Sequence, residues 1–150
     1  MHTRVKEQNI MLIQNAKKLN EQYHVYAAYC GLSDPALCVL YTLYDADEIV
    51  TQNELAVMWC YPKQTINFAI SGLVKKGYVK LEKLGMARNS KAVRLTDEGR
   101  EFCQRVIAPL TDAEEHSLLR LTEEERELLV QLEQKQGAYF KDEIQRLIKE

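Results

Sequence analysis

The chain has 150 residues, 46% of them hydrophobic, with 20 Lys and Arg against 22 Asp and Glu and a formal net charge of −2 at pH 7. That length suits one domain or two fused subdomains with an ample core, and the near-neutral total is no guide to nucleic-acid binding. No stretch approaches the roughly 20 apolar residues of a membrane span, and the apolar run at residues 10–13 is too short for a signal peptide, so a cytoplasmic protein with no membrane partner is expected.

The charge is unevenly spread. Residues 61–100 hold nine cations and three carboxylates, a net of +6, while residues 1–60 and 101–150 are both acidic. A basic middle between acidic arms suggests a polyanion-binding module held by other parts of the chain. Cys30, Cys38, Cys60 and Cys103 form no CxxC pair and are read as reduced thiols, mostly filling the core. His2, His24 and His116 are scattered, so no metal site or cofactor is expected.

In chain order, residues 5–30 read as a long helix. Val5, Leu12, Ile13, Ala16, Leu19, Tyr23, Tyr26 and Ala27 form a broad apolar face, and Gly31 can end it. Such a face needs a partner. Ser33 can cap a second helix with Pro35 in its first turn and Leu37, Leu40, Tyr41 and Tyr44 on its inner side. Ile49 and Val50 suggest a short strand. Thr51-Gln52-Asn53-Glu54 is a capping box opening a short helix that turns Leu55 and Ala56 inward.

A turn at Trp59, Cys60 and Tyr61 leads into the stretch 62–77, a helix of about four turns. Pro62 suits its first helical position and Gly77 the position past its end. Ile66, Ala69, Ile70, Leu73 and Val74 give a buried stripe. The other face carries Lys63, Gln64, Thr65, Asn67, Phe68 and Ser71, with no carboxylate, and short amides and hydroxyls are the groups that read base edges in a major groove. A short helix, a tight turn and a second helix with a polar first turn make a helix-turn-helix.

The period then changes from 3.6 to 2. Val79 and Leu81 alternate with Lys80 and Glu82, and 92–95 form a second strand, so 79–95 is a hairpin with Arg88 and Lys91 near its tip. A basic hairpin there is a wing that can place an arginine in a minor groove or on phosphate. Thr96 caps the next helix. Pro109 should kink it or break it, since 111–114 offers a fresh capping box; a kinked continuation to about residue 119 is the favoured reading. Thr122-Glu123-Glu124-Glu125 opens a last helix striped by Leu128, Leu129, Leu132, Tyr139, Phe140, Ile144 and Leu147.

These motifs resemble the MarR family of winged-helix transcriptional regulators over nearly the whole chain. The pieces that carry the likeness are QNELA at 52–56, PKQTIN at 62–67, GLVKKGYV at 72–79 and RNSKAVRLTDEG at 88–99. The resemblance implies a mainly α (α+β) fold, a winged helix-turn-helix at 33–98 with helical dimerisation regions at 1–32 and 99–150. It also implies a homodimer on a near-palindromic double-stranded DNA operator, most simply a repressor. The DNA-facing residues would be Thr51, Gln52, Pro62, Lys63, Gln64, Thr65, Asn67, Phe68, Arg88, Asn89, Ser90 and Lys91. Family members often place an acidic residue two positions before the wing arginine, where this chain has Met86.

Some relatives answer to small aromatic acids, for which Tyr23, Tyr26, Tyr41 and Tyr44 could line a pocket; each is more simply read as an ordinary core or interface tyrosine. Others answer to cysteine oxidation, for which Cys30 is the nearest match. Two other functions compete with the regulator. An enzyme lacks support, because no nucleophile–base pair or phosphate-binding glycine loop is present. A winged-helix protein-interaction module without DNA binding leaves the +6 middle and the amide-rich face unexplained.

Overall fold

A computed structural model describes residues 2–85 and 91–149. The order is α1 (His2–Tyr29), α2 (Asp34–Tyr44), β1 (Val50–Thr51), α3 (Gln52–Met58), α4 (Lys63–Lys75), β2 (Val79–Lys83), β3 (Lys91–Leu95), α5 (Asp97–Leu118) and α6 (Glu123–Lys149). Among the described residues, six helices and a three-stranded antiparallel sheet of order β1-β3-β2 make the winged-helix architecture expected from the sequence. Contacts divide the chain into two compact units that meet at Ala108 and Pro109.

In the first unit, the core is built from α2, α3, α4, the sheet and the start of α5. Leu40, Leu55, Ile66, Ile70 and Ile107 are each fully buried there. The capping predicted from sequence supplies the local logic. Ser33 Oγ accepts the Ala36 N–H. Thr51 and Glu54 form the reciprocal box, with Glu54 Oε2 taking the Thr51 N–H at 2.8 Å and Thr51 Oγ1 taking the Glu54 N–H at 3.2 Å. Each interaction satisfies donors that a helix start leaves free.

Three helices end alike. After α1, α3 and α4 the chain enters the left-handed region at Gly31 (φ 73°), Cys60 (φ 55°) and Gly77 (φ 80°). At each, two backbone N–H groups fold back onto the last turn: Leu32 onto Ala27, Tyr61 onto Ala56 and Tyr78 onto Leu73 close the wider ring. This is the Schellman termination, which glycine favours. Cys60 adopts it with a Cβ, at a cost of roughly 1 kcal/mol.

Some expectations need correction. Pro62 is the cap residue, with ψ 143°, and the helix begins at Lys63. Val74 is 41% exposed, at the edge of the stripe rather than in it. The cysteines are free thiols, but Cys103 alone is buried, Cys30 and Cys38 are half-buried, and Cys60 is exposed. At Pro109 no correction is needed: it lies inside α5, which runs on to Leu118 as the favoured continuation had it, and the Thr111 box does not start a new helix. Proline has no N–H to give the carbonyl one turn back, and the boundary between the two units falls at this residue.

The second unit holds the end of α5 and all of α6. Thr122 and Glu125 cap α6 reciprocally. None of its 27 residues is buried.

Candidate functional site

The face of interest is built on α4. Ile66, Ala69, Ile70 and Leu73 bury one side of the helix, and that anchoring turns Lys63, Gln64, Asn67, Phe68 and Ser71 outward as exposed residues. Thr65 is half-buried at the edge. Carboxylates are absent from the whole stretch 61–78. The start of α4 also differs from that of its neighbour. Glu54 occupies the first turn of α3, whereas α4 has no acidic residue there and Pro62 provides no side-chain cap. Its free N–H groups and partial positive charge therefore face outward, next to Lys63.

The turn before α4 is held from behind. Trp59 Nε1 donates to Thr42 Oγ1 at 2.8 Å, Thr42 Oγ1 donates to the Cys38 carbonyl, and the Trp59 ring meets Tyr41 edge-on at 6.0 Å. At the other end, Lys76 Nζ donates to the Gly31 carbonyl at 3.1 Å, tying the exit of α4 to the turn between α1 and α2.

The hairpin is clasped at its base. Thr96 gives its N–H to the Tyr78 carbonyl and its hydroxyl to the Gly77 carbonyl at 2.6 Å, and it caps α5 by accepting the Gly99 N–H. Gly99 must be glycine: a Cβ there would lie 1.8 Å from the Tyr78 carbonyl oxygen. The Tyr78 ring stacks on Phe102 at 4.2 Å, and the Arg105 guanidinium lies 5.7 Å from the Phe102 centroid. These contacts fix where the two strands leave the body of the unit.

Along the hairpin, Arg94 Nε pairs with Glu82 at 2.6 Å and Lys80 lies 3.7 Å from the same carboxylate. Lys83 and Lys91 face each other across the last register pair before the tip. Both are exposed, and no described residue pairs with either. Like charges directly opposite in a sheet repel. Such a pair is relieved by an external anion. Sequence reasoning singled out Lys91 and missed Lys83, because only the pairing register makes them neighbours. Arg88, Asn89 and Ser90 lie outside the described residues.

Thr51 and Gln52 are half-buried at the start of α3, and Thr51 Oγ1 is committed to its cap. The four tyrosines go to different places. Tyr26 donates its hydroxyl to the Val106 carbonyl at 2.7 Å, and Tyr41 meets Trp59, while Tyr23 and Tyr44 are half-buried. Burial, helped by a hydrogen bond with Cys30, pushes the Tyr26 hydroxyl up to about 12. Burial also pushes the Cys38 and Cys103 thiols up to about 11, which makes them poor thiolates. Among the described residues, no group of three His, Cys, Asp or Glu could hold a metal ion, and no helix is long and apolar enough to cross a membrane.

A sequence model of the MarR family matches residues 31–88, which covers α2 through β2. Among solved structures, the chain is similar to a MarR family regulator from Neisseria meningitidis, at 19% identity and a TM-score of 0.73, over 91% of this chain and 97% of that one. It is similar to MepR of S. aureus in complex with DNA, at 16% identity and a TM-score of 0.71, over 89% and 97% of the two chains. It is also similar to NadR in complex with 4-hydroxyphenylacetate, at 20% identity and a TM-score of 0.69, over 85% and 89%. No curated protein sequence matches the chain.

Proposed function

We propose that the protein is a transcriptional regulator of the MarR type that binds double-stranded DNA sequence-specifically as a homodimer, a reading supported by the family-model match over residues 31–88. The observation that carries the reading is the outward face of α4. Five exposed side chains there include two amides and one cation, in a stretch without a single carboxylate. Amides on an exposed helix can pair bidentately with adenine at N6 and N7 in the major groove. Lys63, the free N–H groups beside it, and the Lys83–Lys91 pair suit phosphates, which position the protein without reading sequence. MepR, caught on DNA, supports the same use of a similar fold.

The homodimer rests on apolar surface. Within α1, Val5, Met11, Leu12 and Leu19 are each about 60% exposed or more, and α6 has no buried residue at all. Exposed apolar faces of that length mark an interface. A second copy related by a two-fold axis would cover them. Two recognition helices would then meet half-sites about 10 base pairs apart, centre to centre. Occupying the operator is the simplest route to repression, and it places the protein in the cytoplasm.

A small aromatic acid is the effector class to try first, given the ligand of NadR. Oxidation is a second reading: Cys30 is a half-buried free thiol at the end of α1, one turn after Tyr26, whose hydroxyl donates to the Val106 carbonyl. Loss of DNA binding under mild peroxide, reversed by reductant and absent in Cys30→Ser, would support it.

The test of the main reading is a selection from random duplexes followed by gel shifts. A palindromic consensus is expected, with log K falling against log salt at a slope of about −7 if each subunit neutralises about four phosphates. A protein that retains no duplex at low salt would end the reading.

A further inference from the structure

The exposed face of α4 contains one residue that its polar neighbours do not explain. Phe68 is 84% exposed, while the helix's own core is already supplied by Ile66, Ala69, Ile70 and Leu73. Its ring borders two open notches toward the start of α2, one of about 450 Å³ edged by Ser33, Pro35 and Gln64 and one of about 120 Å³ edged by Leu32 and Gly72. Neither side of the ring is therefore filled by this chain.

The chemistry of the groove leaves Phe68 one complement. Base edges in the major groove present donors and acceptors, with a single apolar group among them, the C5-methyl of thymine. We propose that Phe68 is the thymine-reading residue of this protein, contacting the C5-methyl group in each half-site; the inference rests on the DNA-binding reading above. Gln64 stands one turn earlier on the same side of α4. Four residues of helix span about 6 Å, close to two base pairs at 3.4 Å each. The thymine under Phe68 thus lies within about two base pairs of the adenine that Gln64 reads. Because the recognised group is a methyl and not a base, 5-methylcytosine at that position should be bound better than cytosine.

The experiment uses the full chain and the duplex selected from the random library. Each thymine is replaced in turn by deoxyuridine, which removes the methyl and keeps every hydrogen-bonding group. One position per half-site should lose about fourfold in affinity, the weight of one buried methyl. At that position 5-methylcytosine should bind about fourfold better than cytosine. Phe68→Ala should bind more weakly and be indifferent to the same uracil, and Phe68→Leu should keep part of the discrimination. Phe68 supports no core, so both variants should melt like the parent.

A parent that binds its selected site and tolerates every uracil overturns the inference and leaves the DNA-binding reading intact. So does a Phe68→Ala variant with an undiminished uracil penalty, because the methyl is then read elsewhere. A Phe68→Ala variant that binds DNA normally but loses mass in light scattering would assign the ring to a protein contact, against the proposal. A parent that retains no duplex overturns both readings at once.

Discussion

Helices α4 and α6 are unfinished in opposite ways. Helix α4 is 13 residues long, buries four of them, and turns a mostly polar face outward. Helix α6 is 27 residues long, buries none, and exposes Leu129, Leu132, Phe140 and Leu147 along with its charges. A helix of either kind gains little from propensity alone; its stability comes from what covers it. For α4 the cover already exists, and the remaining face has hydrogen-bonding capacity to spend on a polar ligand. For α6 the missing cover is apolar. The lesson is that exposure by itself does not name a function. The chemistry of what is exposed does, and here it separates a mostly polar surface from a largely apolar one.

The strongest way to break this contrast is to charge the apolar face. Leu132→Glu combined with Phe140→Glu should leave a monomer by light scattering. Affinity for a duplex with two half-sites should fall on the order of 100-fold, the usual worth of linked sites, while a single half-site is bound as before. A double variant that remains a dimer would remove α6 from the interface.

A second test asks whether the first unit stands on its own packing. Gly99→Ala drives a methyl into the Tyr78 carbonyl and should cost about 3 kcal/mol, as an overpacked backbone contact does. Denaturant melts of the two proteins measure it, and unchanged stability would mean that the clasp at Thr96 is slack.

Next in size is Gln64→Ala. It should weaken the selected site by about 1–3 kcal/mol and change the consensus, with no loss of stability. An unaltered consensus would return Gln64 to the ordinary solvated surface.

The smallest effect is one of pH. The Asp34 carboxylate accepts a hydrogen bond from His24 Nδ1 at 2.9 Å, and that bond together with its charge raises the imidazole above its ordinary value near 6.5. A raised folded value means that the contribution is complete below about 6.5 and is lost as pH climbs through the folded value. The melting temperature should therefore fall slightly from pH 6 to pH 8, and His24→Gln should flatten the change. An identical slope in the variant would show that the pair contributes nothing.

Much of this was legible in the residues. The Thr51–Glu54 and Thr122–Glu125 boxes announced two helix starts, and the stripe from Ile66 to Leu73 announced the buried side of α4. Those signals are local, with partners within a turn or two. What escaped depends on distant partners or on backbone states that the residue type does not advertise. A cysteine in the left-handed region carries no sequence mark, unlike Gly31 and Gly77. Gly99 looks like any glycine in a first turn until the Tyr78 carbonyl is placed against it. Lys83 became a candidate only once the register set it opposite Lys91. Val74 fell on the stripe by spacing, yet lies at its edge. The tyrosines were grouped by residue type, and the fold gives Tyr26 and Tyr41 separate work.

The clasp around Thr96 has a consequence for how such a protein can change over generations. Both strands of the hairpin are tethered where they leave the unit, by Thr96 to Gly77 and Tyr78 and by the close approach of Gly99. Insertions between Gly85 and Lys91 therefore leave the anchorage untouched. Lengthening a loop is thermodynamically cheap, about 0.6 kcal/mol per doubling. Two added residues, one per strand, extend a hairpin by roughly 3.4 Å, about one base pair of duplex. The reach of the hairpin is thus a variable that descendants can tune in steps of about one base pair's rise, independently of α4.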